Sequence, residues 1–248
     1  MINNYDNAST VKSEEEILRD FQARSLSCYR QYSCIRDIPY ASSKRTCLDL
    51  FQSERAQKTV VFIHGGYWQW CDKSDFAFIA PYILKQEMQC VLLEYGLAPH
   101  YTLSDIVAQV KQAIDFIVQQ DWMSQELILV GHSAGAHLAA LMLDHPRVNQ
   151  AVLLSGIYDL KPIQYTPLNQ ALQLSQWEID HLSPILSRQT LNKKYEIYCG
   201  GEELEALQQQ SKQYFLKRHF IDGQQVKLEL FPKINHYTIL EHYFKYIL

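Results

Sequence analysis

Glu126-Leu127-Ile128-Leu129-Val130-Gly131-His132-Ser133-Ala134-Gly135-Ala136 is the stretch on which the reading of this chain turns. A short apolar run enters a Gly-His-Ser-Ala-Gly turn, and apolar residues then recur at helical spacing over residues 134–144. A serine between two glycines at a strand-to-helix junction is a nucleophile elbow: the turn is too tight for side chains beside the serine, whose own backbone is strained. Ser133 is therefore the candidate nucleophile. The plainer alternative is a glycine-flanked helix start with Ser133 as its N-cap.

Outward from the elbow, the chain alternates short apolar runs with amphipathic patterns. Strands are predicted at residues 59–64, 89–95, 126–131, 151–155, 195–199 and 226–231, each short and continuously apolar, as suits strands covered on both faces. Helices are predicted over 74–86, after Thr102, over 134–144 and over 204–220; in the second, Leu103, Ile106, Val110, Ile114 and Ile117 share one face. Strand–helix alternation implies right-handed crossovers and a doubly wound, mostly parallel α/β sheet. Residues 159–188 carry Pro162, Pro167 and Pro184 without a clear strand, and are expected to form a cap-like excursion over the strand ends. An N-terminal segment, residues 1–37, contains a polar helix pattern at 13–29 expected to help cover the same site. With no repeat and no linker, the expectation is a single domain spanning 1–248.

A chain of 248 residues, 47% hydrophobic and 20% charged, can bury a full core without disulfide or metal staples. The net charge of −4, free of like-charge blocks, points away from nucleic acid and from anionic membrane surfaces. Six scattered cysteines contain no C-x-x-C pair, so neither a zinc site nor a redox motif is expected. Met1-Ile2-Asn3-Asn4-Tyr5-Asp6 lacks the basic start and apolar core of a secretory leader, and no apolar run approaches 18 residues; a reduced, cytoplasmic protein is expected. The expected partner is a small-molecule substrate, with a homodimer left open and no cofactor or metal.

Acyl-transfer chemistry needs backbone N–H groups aimed at the oxyanion, about 2.7–4 kcal/mol for one donor. His64-Gly65-Gly66-Tyr67-Trp68 follows the apolar run 59–63, and a Gly-Gly turn there lets backbone approach substrate. Gly66, Tyr67 and Ala134 are the candidate oxyanion donors. The general base must lie late in the chain; His236 follows the last strand in a loop, while His242 falls within the terminal helix pattern, so His236 is chosen. The acid belongs after the strand 195–199, where the chain reads Gly200-Gly201-Glu202-Glu203-Leu204-Glu205 and no aspartate occurs between Asp180 and Asp222. Glu203 is the choice on its spacing from Gly200; Glu202 and Glu205 are alternatives near a helix N-terminus. Trp68, His132 and Tyr158 are candidate substrate-binding residues, and Tyr67 and Trp70 may join Trp68 in an aromatic wall.

These motifs resemble the kynurenine formamidase (arylformamidase) branch of the α/β-hydrolase superfamily. The resemblance rests on His64-Gly65-Gly66-Tyr67-Trp68, Asp72-Lys73-Ser74-Asp75-Phe76, Tyr95-Gly96-Leu97-Ala98-Pro99, Gly131-His132-Ser133-Ala134-Gly135 and Ser155-Gly156-Ile157-Tyr158-Asp159-Leu160. Leu182-Ser183-Pro184 and Gln210-Ser211 extend it, so that it spans roughly residues 38–240. The likeness implies the α/β-hydrolase fold and hydrolysis of an N-formylated arylamine to the arylamine and formate. A short-chain carboxylesterase using the same residues is the alternative, and a non-catalytic ligand-binding homologue a third. The branch usually carries aspartate where this chain has Glu203.

Overall fold

The computed structural model describes residues 4–248, so residues 1–3 of the N-terminal segment lie outside the described residues. Eight strands form one sheet: β1 (Ile35–Pro39), β2 (Cys47–Phe51), β3 (Lys58–Ile63), β4 (Gln89–Leu93), β5 (Glu126–His132), β6 (Gln150–Leu154), β7 (Lys194–Gly200) and β8 (Val226–Phe231). Their order is β1-β2-β4-β3-β5-β6-β7-β8. From β4 through β8 every pairing is parallel, whereas β1–β2 and β2–β4 are antiparallel.

The six predicted strands are all present; β1 and β2 were not predicted. β1 is an exposed edge strand, Ile-Arg-Asp-Ile-Pro, without alternation to betray it. β2 is buried along its whole length despite carrying Asp49. That carboxylate is tolerated because it accepts from Tyr29 Oη at 2.6 Å and the Asp37 N–H at 2.7 Å, and pairs with Lys73 Nζ at 3.2 Å.

The helices are α1 (Glu14–Gln31), α2 (Ala80–Lys85), α3 (Leu103–Ile117), α4 (Ala134–Leu141), α5 (Asn169–Leu172), α6 (Gln176–Leu182), α7 (Glu205–Asp222) and α8 (Thr238–Tyr246). Where one helix was predicted over 74–86, the chain makes a 3-10 helix, Lys73–Ile79, and then α2. Pro81 explains the break: it lacks an N–H, which is harmless in a helix's first turn and disruptive further in.

The pleat divides the core. Val61, Ile63, Val91, Leu93, Leu127 and Leu129 point to one side, packed with α3, α4 and α7. Val60, Phe62, Cys90, Leu92, Ile128 and Val130 point to the other, packed with α1, α2 and α8. Each fully buried side chain of this kind contributes roughly 1.5–3 kcal/mol. Strand order reverses around β3, and ligands of such sheets bind in the crevice beyond the strands' C-terminal ends at that point. Ser133 follows β5 there.

Candidate active site

Ser133 sits at φ 56°, ψ −118°, a region that costs a non-glycine residue about 1–3 kcal/mol. The strain is held by its surroundings: its N–H donates to the Leu154 carbonyl at 2.8 Å, and its carbonyl accepts from Ala136 at 3.0 Å and His137 at 3.2 Å. Both elbow glycines are required by space. A Cβ on Gly131 would lie 2.3 Å from the Gly135 carbonyl oxygen, and one on Gly135 would lie 1.9 Å from that of Ile63. Ser133 is thus more than a helix N-cap: its side chain caps nothing in α4.

β7 and β8 bring the other two groups to the same crevice. His236 Nδ1 lies 2.9 Å from Glu203 Oε2, and both residues are buried. A carboxylate can only accept, so Nδ1 carries the hydrogen and Nε2 is the nitrogen free to take a proton. The other carboxylate oxygen, Glu203 Oε1, accepts from Ser155 Oγ at 2.5 Å and from the Gly200 N–H at 2.6 Å. Glu202 and Glu205 are exposed. His242 lies on α8, its ring against Phe231 and Tyr246.

The loop after β3 is strained over three successive residues, with φ of 101° at Gly66, 48° at Tyr67 and 59° at Trp68. A Cβ on Gly66 would lie 2.3 Å from the Trp70 carbonyl oxygen, and one on Gly65 would press on Ser133 Cβ at 3.0 Å. This brings the Gly66–Tyr67 backbone beside Ser133, while Ala134 opens α4, where an N–H has no intrahelical partner. The loop is braced from behind. His64 Nε2 lies 3.0 Å from Glu94 Oε1, which also accepts from Arg45 at 2.6 Å, and Glu94 Oε2 accepts from the Lys73 N–H at 2.9 Å. Burial alone would raise the Glu94 carboxyl; the His64, Arg45 and Lys73 contacts outweigh it and hold it at about 2.

His132 packs and also lines the cavity. Its Nε2–H donates to the His236 carbonyl at 2.8 Å, and its ring stands 4.7 Å from that of His236. Burial, and then the neighbouring His236, press its pKa well below the ordinary histidine value, so it stays neutral.

Ser133, His132 and His236 open onto a cavity of about 660 Å³. One wall comes from the N-terminal segment, through Tyr5, Asp6, Asn7 and Phe21, and the facing wall from the excursion, through Pro167, Leu168 and Gln170. Tyr67 fastens the first wall: its hydroxyl donates to the Tyr5 carbonyl at 2.7 Å and accepts from Asn7 Nδ2 at 3.1 Å. Gln210 Nε2 adds a bond to Tyr5 Oη at 3.0 Å, and Gln69 Nε2 ties the second wall by donating to the Leu168 carbonyl at 3.1 Å.

Two expected substrate contacts fall elsewhere. Trp68 is fully buried and meets His137 edge-on at 5.0 Å, because the left-handed turn sends it behind the loop while Tyr67 and Trp70 face the cavity. Tyr158 is fully buried and stacks on Tyr214 at 4.2 Å, off the cavity wall. Ser155, Asn7 and Glu94 were missed. Ser155 alone left a signal, since it directly follows β6 at the end of the sheet that holds the elbow.

The family model BD-FAE matches residues 48–171. A kynurenine formamidase from Salmo salar is 30% identical over 222 residues, covering 83% of this chain and 75% of that protein. One from Danio rerio is 30% identical over 223 residues, covering 84% of this chain and 76% of that protein. A crystal structure of a candidate thioesterase from Silicibacter sp. superposes with a TM-score of 0.89 at 24% identity, covering 97% of this chain and 93% of that one, which supports the fold. The sheet, the elbow and these relatives agree: the chain belongs to the kynurenine formamidase family of α/β-hydrolases.

Proposed function

We propose that this protein is a serine hydrolase that cleaves an N-formyl arylamide of the N-formylkynurenine type, releasing the arylamine and formate. The observation that carries this is the 2.9 Å contact of His236 Nδ1 with Glu203, in a cavity that Ser133 shares, within a chain of this family. Ser133 Oγ attacks the formyl carbon while His236 Nε2 takes its proton. The Gly66, Tyr67 and Ala134 N–H groups receive the developing oxyanion. His236 then gives the proton to the leaving aromatic nitrogen, and the C–N bond breaks to leave a formyl ester on Ser133. Water, deprotonated by the same imidazole, hydrolyses that ester to formate and restores the hydroxyl. Glu203 holds the ring in the tautomer that keeps Nε2 open and stabilises the imidazolium.

An arylamine leaves more readily than an alkylamine, and a formyl group is the smallest acyl group, so amide cleavage is within reach of an esterase-like site. No helix among the described residues is long and apolar enough to cross a membrane, and we place the enzyme in the cytoplasm, consistent with six free cysteines. Steady-state turnover of N-formylkynurenine and of p-nitrophenyl acetate tests the reading. The expected result is formate release from the amide with a kcat/KM at least equal to that for the ester. Rapid ester cleavage with no amide turnover would make the protein a carboxylesterase instead.

A further inference from the structure

The ionised side chains on the wall of the Ser133 cavity have one sign. Asp6 and Glu14 line it, and no lysine or arginine does so among the described residues. The nearest cations are spoken for. Lys12 and Arg24 line a separate groove beyond Phe21 and Tyr237, and Arg24 is bound by Asp20 at 2.8 Å and Glu241 at 3.3 Å. Glutamates in the first turn of a helix ordinarily serve its dipole, and α1 opens with Glu14, Glu15 and Glu16. Glu14 alone of the three reaches the cavity, where one carboxylate oxygen accepts from Tyr237 Oη and the other remains for a ligand.

A second, independent feature of the same wall asks for a donor. Asn7 is 5% exposed, and its Oδ1 is buried without a hydrogen-bond partner. The amide orientation follows from the network: the Tyr67 hydroxyl spends its hydrogen on the Tyr5 carbonyl, so it must accept from Asn7 Nδ2, which turns Oδ1 away from it. A buried acceptor left empty is costly, and a ligand N–H removes that cost. A wall offering two carboxylates and a vacant amide oxygen is built for a group rich in N–H and positively charged.

The geometry points to a substrate class narrower than the family name implies: an N-formyl arylamine whose side chain ends in an ammonium group and carries no carboxylate. This rests on the formamidase reading above and adds which formyl arylamides the site selects. Glu14 and Asp6 receive the ammonium group, and Asn7 Oδ1 accepts an N–H from it. A free carboxylate on the same side chain would face these two acids with no cation to answer it.

The test compares three 2-formamidophenyl ketones: one with a primary amine side chain, one with an α-amino acid side chain, and one with no ionised group. The expected order of kcat/KM is amine first, at least about fivefold above the neutral ketone, which a single partly exposed charge pair can supply. The amino acid should fall below the amine. Raising salt from low to near-molar should shrink the amine-to-neutral ratio, and Glu14→Gln, which keeps an acceptor for Tyr237, should lower that ratio about fivefold in KM. Asp6→Asn should lower it in the same direction, which covers the case of a poorly folded Glu14 variant. Equal rates for all three ketones, or the amino acid as the best substrate, would overturn the inference while leaving the formamidase intact. Failure of all three beside turnover of p-nitrophenyl acetate would instead remove the formamidase reading, and this inference with it.

Discussion

Ser133, Glu203 and His236 stand just past the ends of β5, β7 and β8, whereas the walls around them come from residues 5–21 and 167–171, outside the sheet altogether. The first group is positioned by backbone: two glycines without room for a Cβ, a strained serine locked by three main-chain bonds, and a glutamate three residues past Gly200. The second is positioned by side chains reaching across the chain, such as Tyr67 to Tyr5 and Asn7, Gln210 to Tyr5, and Gln69 to Leu168. The contrast teaches that chemistry and selectivity are separable here. Damage to the strand ends should fall on kcat, and damage to the walls on KM.

The strongest way to break that division is at the nucleophile. Ser133→Ala should fold and lose about 10⁴–10⁶ in kcat, since triad members act as a unit; a folded variant keeping a tenth of the rate would remove Ser133 from its role. Glu203→Gln should lower kcat by about 10³–10⁴, by analogy with neutralising a triad acid elsewhere, whereas exposed Glu202→Gln should cost less than about tenfold. Equal losses would mean that the 2.9 Å contact is incidental.

His137 joins the two regions, for its Nε2–H on α4 donates to the Leu182 carbonyl at the end of α6 at 2.7 Å. Burial lowers its pKa from 6.5 to about 4. The unfolded chain therefore binds the proton first, so stability is intact above pH 6.5 and is lost as pH falls from 6.5 towards 4. The gap corresponds to roughly 3 kcal/mol. His137→Gln should flatten the stability-versus-pH curve in that window, as read by urea midpoints; an unchanged curve would mean the ring is not a buried neutral link.

Smaller effects sharpen the comparison. Ser155→Ala removes one of three bonds to the Glu203 carboxylate and should cut kcat about tenfold with little change in KM. Tyr67→Phe unties the N-terminal wall and should do the reverse, raising KM about fivefold with kcat nearly kept. Crossed results, with Ser155 acting on KM and Tyr67 on kcat, would dissolve the division.

The same contrast explains what was legible in the sequence. Ser133, Glu203 and His236 were found because each is tied to a strand end by a short-range rule that leaves residues behind: flanking glycines, a fixed offset from Gly200, a loop after the last strand. The walls obey no short-range rule. Residues 1–37 and 159–188 could be read as coverings, but not that Asn7 would meet Tyr67 sixty residues away. Trp68 and Tyr158 were assigned to the substrate from their motifs; three positive φ values in a row decided where Trp68 points, and no pattern of residue types encodes them. β2 hid behind Asp49, whose partners come from three other segments.

The most direct test of the central claim is intact-mass and peptide mass spectrometry of the folded protein after reaction with an alkyl fluorophosphonate. The account predicts a single adduct on Ser133, formed rapidly in the wild type and about 10³-fold more slowly in Glu203→Gln, where the base loses its orienting carboxylate. An adduct on another residue, or no adduct on a folded protein that still releases formate from a formyl arylamide, would contradict it.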